Sequence, residues 1–267
     1  MDLNITGQRA FISGSTQGIG YAIARGLATE GASVILNGRT TERVKEAVAR
    51  LRAEVPGADV TGIAADFGDA AAVDRLTEQL ADQQDGIEIL VNNVGLFGLS
   101  PFTEVDDATW QAYLEVNLMS AIRLSRRLIT PMLTRGSGRI LLISSESGVN
   151  VPGDMVHYGV TKAAMIALGN GLAKLTRGTG VTVNTILGGP TYSEGVAGAV
   201  QQVADAQGLE AEAMKGAIIG ANRTSLLERF IEPDEIANLA VYLSSPRAAA
   251  TNGAALRADG GVLTTLM

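Results

Sequence analysis

A chain of 267 residues, 46% hydrophobic and with mean hydropathy +0.19, carries enough apolar material for a large core and is not a disordered sequence. Its net charge of −7 and pI near 4.9 argue against nucleic acid or an anionic membrane as partner. With no cysteine and one histidine, His157, disulfides, thiolate nucleophiles and conventional metal centres fall away, and no metal is expected.

Met1–Thr6 has no basic stretch leading into an apolar one, so no secretory signal is expected. No apolar run reaches the roughly 18 residues that span a bilayer, and a soluble cytoplasmic protein is the expectation. Short aliphatic runs alternate with longer amphipathic segments from end to end. A strand over Arg9–Ser13 is followed by a helix over Gly18–Glu30, then Ser33–Leu36 by Glu42–Glu54, and Val60–Ala64 by Ala70–Gln83. The pattern continues with strand Ile87–Val91 and helix Ala108–Met132, then Arg139–Ser144 and Tyr158–Thr176. Strand Val181–Ile186, helix Pro233–Leu243 and strand Ala254–Arg257 complete it. Several strands are nearly continuous in Val, Ile and Leu, as in a parallel sheet covered on both faces. The alternation predicts a doubly wound α/β fold with seven parallel strands, using residues 1–267 as one domain.

Helix punctuation agrees with these boundaries. Thr40-Thr41-Glu42-Arg43 offers a threonine hydroxyl as a cap with acidic Glu42 in the first turn, and Pro233-Asp234-Glu235 places proline and two acids at a helix start. The stretch 191–230, rich in Ala, Gly and Gln, reads either as a helical flap that responds to ligand or as an ordinary helical hairpin.

The first strand runs into Gly14-Ser15-Thr16-Gln17-Gly18-Ile19-Gly20, spaced Gly-x-x-x-Gly-x-Gly, and then into a helix. Glycines allow the tight turn and the close approach of backbone to a pyrophosphate, and the helix start supplies free N–H donors. A plain strand-to-helix turn could use the same residues, but the position after strand one favours nucleotide binding.

Tyr158 and Lys162 stand four apart, so a phenol and an ammonium share one helix face. A nearby cation favours the phenolate, which predicts a tyrosine pKa drawn down toward working pH. A serine, Ser145, lies thirteen positions upstream (158 − 145) in Ile143-Ser144-Ser145-Glu146 at a predicted strand end. Alternation along the strand lets one of Ser144 and Ser145 face the crevice.

Together these residues resemble the single-domain branch of the short-chain dehydrogenase/reductases, whose fold is Rossmann-like. That family opens with Thr-Gly-x-x-x-Gly-x-Gly, where this chain has Ser13 for the threonine, and continues with Asn-Asn-Ala-Gly, here Asn92-Asn93-Val94-Gly95. The resemblance runs to Asp259-Gly260-Gly261 and so covers essentially the whole chain. It implies catalytic roles for Asn117, Ser145, Tyr158 and Lys162, with Ser145 chosen by the family's thirteen-residue spacing and Ser144 left structural. It implies cofactor contacts from Asp66 and Phe67 after strand three, from Asn93, Val94 and Gly95, and from Tyr158 and Lys162. After strand six it implies contacts from Gly189, Thr191 and Ser193, although Gly188 replaces the usual proline and Ser193 the usual threonine.

The end of strand two reads Asn37-Gly38-Arg39, with no acid to accept from a ribose 2′-hydroxyl and an arginine suited to a 2′-phosphate. NADP is therefore expected rather than NAD. Implied roles are proton donation by Tyr158, a hydrogen bond from Ser145 to the substrate oxygen, and Lys162 lowering the tyrosine pKa while holding the nicotinamide ribose. Asn117 would hold a water beside Lys162. His157 points about 100° away from Tyr158 and is not expected on the catalytic face. Trp110 and Phe102 are expected to pack the long helix.

The expected activity is NADP-dependent hydride transfer between a small ketone and its secondary alcohol. A 3-oxoacyl thioester reductase is a rival within that class. A nucleotide-sensing protein on the same fold is a rival outside it, against which the four implied catalytic residues argue. The resemblance implies a homotetramer, to which the apolar tail Val262–Met267 could contribute. Glu146, Met155, Leu96 and the flap are expected to line the substrate pocket without naming a substrate.

Overall fold

Strand parity decides the architecture. The computed structural model describes residues 1–81, 86–222 and 224–266. Its strands are β1 (Arg9–Ile12), β2 (Ser33–Gly38), β3 (Val60–Ala64), β4 (Ile89–Asn92), β5 (Ser137–Ser145), β6 (Gly180–Gly188) and β7 (Ala255–Ala258). They form one seven-stranded sheet in the order β3-β2-β1-β4-β5-β6-β7, every neighbouring pair parallel. The seven predicted strands are all present, with β5 and β6 reaching further than expected at both ends.

Ala10, Ile12, Val34, Leu36, Ile89, Val91, Leu141 and Ile143 share one core. Helices α1 (Gly18–Thr29), α2 (Thr41–Glu54) and α9 (Pro233–Leu243) cover that face with Leu27, Leu51 and Ile236. The residues between them, Phe11, Ile35, Leu90, Ile140 and Leu142, point the other way. There α3 (Ala70–Ala81), α5 (Ser120–Arg135) and α6 (Val156–Leu175) close a second core with Leu76, Leu124 and Met165. Each fully buried aliphatic contributes about 1.5–3 kcal/mol, so two continuous cores fix the sheet between its helical layers. The expected end of α3 at Gln83 lies outside the described residues.

The expected threonine cap forms, with Thr40 Oγ1 accepting from Arg43 N at 3.4 Å; α9 starts at Pro233 as expected, and its Glu235 also accepts from Glu232 N at 2.9 Å, a contact with no counterpart in the sequence reading. The predicted single helix over Ala108–Met132 is instead α4 (Asp107–Tyr113), a wider π-helical turn over Leu114–Met119, and α5. Such a turn shifts side-chain direction, and here it carries Asn117 inward. Between β6 and α9, helices α7 (Glu194–Gln207) and α8 (Ala211–Ala221) pack on each other through Val200, Ala204 and Met214, a small core separate from the main two.

From β1 the chain winds outward to β2 and β3, then returns to β4 on the other side of β1 and proceeds to β7. The crevice at the carboxyl ends of β1 and β4 is the switch point at which open α/β sheets bind ligands. No helix among the described residues is long and apolar enough to cross a membrane.

Candidate active site

The glycine-rich turn is wired to the strands around it. Gly14 and Gly18 both have φ +61°, a left-handed backbone that side chains disfavour. A Cβ on Gly20 would meet the Gly14 carbonyl oxygen at 2.5 Å, and one on Gly14 would sit 3.0 Å from Val94 Cα. The Ser13 hydroxyl accepts from Asn93 N at 2.9 Å and Val94 N at 3.1 Å, so serine suffices where the family has threonine. The Asn93 amide answers by donating to the carbonyls of Ser13 and Gly14 at 3.0 and 2.9 Å. Buried Asn37 accepts from Gly14 N at 3.0 Å and donates to Ile63 O at 3.1 Å, tying β1, β2 and β3 to the turn. Ser15 Oγ donates to Ile12 O at 2.7 Å and accepts from Asn37 N at 2.9 Å.

The Gly18 N–H at the start of α1 donates to Glu194 Oε2 at 2.7 Å, so a carboxylate from the first turn of α7 occupies a donor suited to phosphate. Beside it, Thr16, Gln17, Arg43, Arg50 and Glu194 line a cavity of about 400 Å³. Arg50 donates to Thr16 O at 3.1 Å and stacks 3.6 Å above the Tyr21 ring, bracing the turn from α2. Arg39 is exposed just beyond β2. This cradle of glycines and N–H donors fits a dinucleotide.

Phe67 is buried in the core with α3 and α5. Asp66 stays exposed and its Oδ1 accepts from Gly68 N at 2.9 Å, holding the turn after β3. The Ser193 hydroxyl caps α7, accepting from Val196 N at 3.4 Å, and its Cβ would lie 3.3 Å from a side chain on Gly18. Ser193 therefore stands over the phosphate end of the turn. Thr191 bridges to Ile231, and a Cβ on Gly189 would meet Asp259 O at 2.5 Å.

Four sequence-distant residues meet at the carboxyl ends of β4 and β5. The point a Gly95 Cβ would occupy is 3.5 Å from both Asn117 Oδ1 and Lys162 Nζ. Fully buried Asn117 accepts from Leu96 N at 2.6 Å and donates to Leu96 O and Thr161 Oγ1, each at 3.0 Å. Lys162 donates to Ile143 O at 2.9 Å, and its Nζ lies 5.6 Å from the Tyr158 ring centroid. Ser144 donates to Lys162 O at 2.8 Å and so faces α6. Ser145 faces the crevice, donating to Glu146 Oε2 at 2.7 Å and accepting from Ser147 N at 3.1 Å.

The electrostatics reverse one expectation. Burial pushes the Tyr158 phenol up to about 12, helped by the charge of Glu146 and neighbouring Tyr113, while a hydrogen bond with Ser145 works against the rise. Burial lowers Lys162 to about 8. Withdrawal from water dominates the phenol, and Lys162, itself desolvated, is not among the groups that shift it.

A family model described as Enoyl-(Acyl carrier protein) reductase matches residues 14–263. The chain is 42% identical to the uncharacterized oxidoreductase YvrD of Bacillus subtilis, over all of both chains. It is 30% identical to the 3-oxoacyl-[acyl-carrier-protein] reductase FabG of Escherichia coli K12, covering 97% of this chain and 99% of that one. L-sorbose reductase from Gluconobacter frateurii, solved with NADPH and L-sorbose, superposes with a TM-score of 0.94 at 34% identity over the full length of both. The chain belongs to the short-chain dehydrogenase/reductase family. It is an NAD(P)-dependent oxidoreductase of that family.

Within this short-chain dehydrogenase/reductase, several contacts had no sequence signal. Glu194 reaches Gly18 across 176 positions, and nothing local marks either as the other's partner. Tyr113 packs edge-on to buried His157 with ring centroids 4.4 Å apart, and Trp110 lies 6.3 Å from the same imidazole. His157 thus belongs to an aromatic cluster on α4 and α6, with Nδ1 left without a hydrogen bond. Phe102 was expected to pack the long helix but is 57% exposed, because it lies on a short turn ahead of α4. In the tail, Leu263 is buried in its own chain and Leu266 is exposed, while Met267 lies outside the described residues.

Proposed function

We propose that this protein reduces small ketones to secondary alcohols with NADPH, Tyr158 donating the proton. The observation that carries the reading is the grouping at one crevice of Tyr158 beside Ser145, with Lys162 Nζ 5.6 Å from the phenol ring and Asn117 close to Lys162. The phenol holds its proton at neutral pH, and hydride arriving at the carbonyl carbon would make the oxygen basic enough to take it. NADPH, when bound, supplies hydride to the carbonyl carbon. Tyr158 gives its proton to the oxygen, and Lys162, cationic below about 8, supports the negative charge left on the phenol. Asn117 fixes the Leu96 backbone beside Gly95, keeping the floor of the crevice rigid.

Gly14, Gly18, Gly20, Asn93 and Gly95 are the residues that would hold the cofactor. The preference for NADP is supported by the lack of any acid in Asn37-Gly38-Arg39 at the end of β2, and by Arg39 and Arg43 near the same end. The NADPH complex of L-sorbose reductase supports the same choice. A 3-oxoacyl thioester reductase is the second reading, favoured by the FabG relatives. We further read the chain as one domain with α7 and α8 as a flap, working in the cytoplasm as a homotetramer. Sizing by light scattering checks the assembly.

The deciding experiment follows NADPH and NADH oxidation against a panel of ketones, ketoses and 3-oxoacyl thioesters. Ketone-dependent NADPH oxidation by the native protein, lost in Tyr158→Phe, is the expected result. Tight NADPH binding with no turnover across the panel would point to a sensor.

A further inference from the structure

We propose that Glu146 selects ketones carrying a hydroxyl group on the carbon next to the carbonyl. This specificity rests on the reductase reading above and adds to it a substrate class. Glu146 follows β5 directly and opens a short turn over Glu146–Gly148 at the mouth of the crevice. Its Oε2 accepts the Ser145 hydroxyl at 2.7 Å. A serine hydroxyl has a single hydrogen. With that hydrogen claimed by Glu146 and the neighbouring Tyr158 oxygen, Ser145 has none free for a carbonyl oxygen, which is the job the proposed reaction gives it.

An α-hydroxy ketone resolves the conflict. Its carbonyl oxygen and adjacent hydroxyl lie within hydrogen-bond distance of one another, matching the Ser145–Glu146 pair. The substrate hydroxyl donates to Glu146 Oε2, and the serine hydrogen turns to the carbonyl oxygen. One hydrogen bond within the protein becomes two to substrate, and no buried oxygen loses its partner. A plain ketone cannot make this exchange. Either Ser145 keeps its bond to Glu146, or a half-buried carboxylate gives up one of its two serine partners and keeps only Ser147.

The surroundings support a neutral hydroxyl as the partner. Burial raises Glu146 above the ordinary carboxylate range, with Asp259 adding to the rise against bonds from Ser147 and Ser145. Its titratable neighbours are the phenol of Tyr158 and buried Asp259, and the cation nearby, Arg257, is already paired with Asp259 at 3.1 Å. A 3-oxo acid would bring another negative charge to a place already holding two carboxyl groups, and a 3-oxoacyl thioester has no donor next to its ketone. Beside the site the loop after β4 exposes Leu96, Phe97 and Leu99, so hydroxyl recognition falls to Glu146 rather than to that loop.

The test uses 1-hydroxy-2-butanone and 3-pentanone, which differ only in hydroxyl against methyl, and reads kcat/KM for each with NADPH. The native protein is expected to favour the hydroxy ketone by roughly tenfold to a hundredfold. Glu146→Leu should bring the ratio to within about threefold of one, while Glu146→Gln, whose carbonyl oxygen still accepts, keeps part of the preference. NADPH binding followed by fluorescence reports whether each variant is folded. If Glu146→Leu does not bind NADPH, the Gln variant decides: a ratio lowered severalfold supports the proposal, and the native ratio overturns it. Equal native rates on the two ketones, or an unchanged ratio in Glu146→Leu, overturn the proposal while leaving the reductase reading intact. No native turnover of either ketone or of any wider panel overturns both.

Discussion

The two ends of the crevice are built on opposite principles. At the cofactor end, short-range backbone geometry and reciprocal hydrogen bonds satisfy nearly every polar group: Ser13, Asn93, Asn37 and Ser15 lock the glycine-rich turn to β1, β2 and β4. At the chemical end, ionisable groups have little water and few partners: Lys162 is buried, and Tyr158 and Glu146 are half-buried. Lys162 has one carbonyl at 2.9 Å and a thioether at 3.8 Å, and Tyr158 is withdrawn from water. The first end is rigid and receives a ligand by shape; the second holds groups away from their solution pKa values, which is where proton transfer is tuned. The contrast teaches that binding and chemistry here draw on different physical resources, and each can be disturbed separately.

The sharpest test of that separation is Tyr158→Phe. It should lower kcat with a ketone by about 10²- to 10⁴-fold while NADPH affinity, measured by fluorescence titration, stays near native. Gly20→Ala attacks the other end. Its Cβ would stand 2.5 Å from Gly14 O, so about 1–3 kcal/mol of stability and most of the NADPH affinity should be lost. An unchanged melting temperature with native affinity would show that the cradle is looser than its geometry. Asn117→Ala lies between the ends and leaves the Leu96 N–H and carbonyl unanswered, a loss of about 1–3 kcal/mol in denaturant unfolding.

The buried lysine gives a signed pH test. Unfolded, Lys162 titrates near 10.5; folded, near 8. Between those values the unfolded chain holds a proton that the folded chain has released, so stability contributed by this site rises with pH across the window. Tyr158 acts in the opposite sense, keeping its proton when folded between its ordinary 10.0 and about 12, so its contribution falls there. Melting temperatures of the native protein relative to Lys162→Met should therefore climb from pH 8 to pH 10. A flat difference would mean that the ammonium is better solvated than its burial implies. The smallest effect expected is from Glu194→Gln, which removes a negative charge from the Gly18 N–H and should tighten NADPH about two- to fivefold. Weaker binding would instead mean that Glu194 helps to hold the cofactor.

Most of the fold was legible because each strand is a short aliphatic run whose odd and even residues both meet helices, as with Phe11 against Ala10 and Ile12. The long helix was legible in extent but not in its interruption, since nothing in Leu114–Met119 announces a wider turn until Asn117 is drawn to the Leu96 backbone. Ser145, Tyr158 and Lys162 could be named from spacing and family pattern. The direction of the tyrosine shift could not, because proximity of a cation is visible in sequence and depth of burial is not.

Sequence by itself determined what depends on neighbours along the chain: strand parity, the glycine turn after β1, and a phenol and amine one helical turn apart. Tertiary structure alone decided what depends on distant segments meeting. It placed Glu194 on Gly18, 176 residues away, and Asn117 on Leu96. It also gave the hydrogen of Ser145 to Glu146, adjacent in the chain but joined only because β5 ends in a buried turn. Local spacing is fixed by bond geometry, whereas hydrogen-bond partners and pKa values follow from which surfaces exclude water once the sheet has closed.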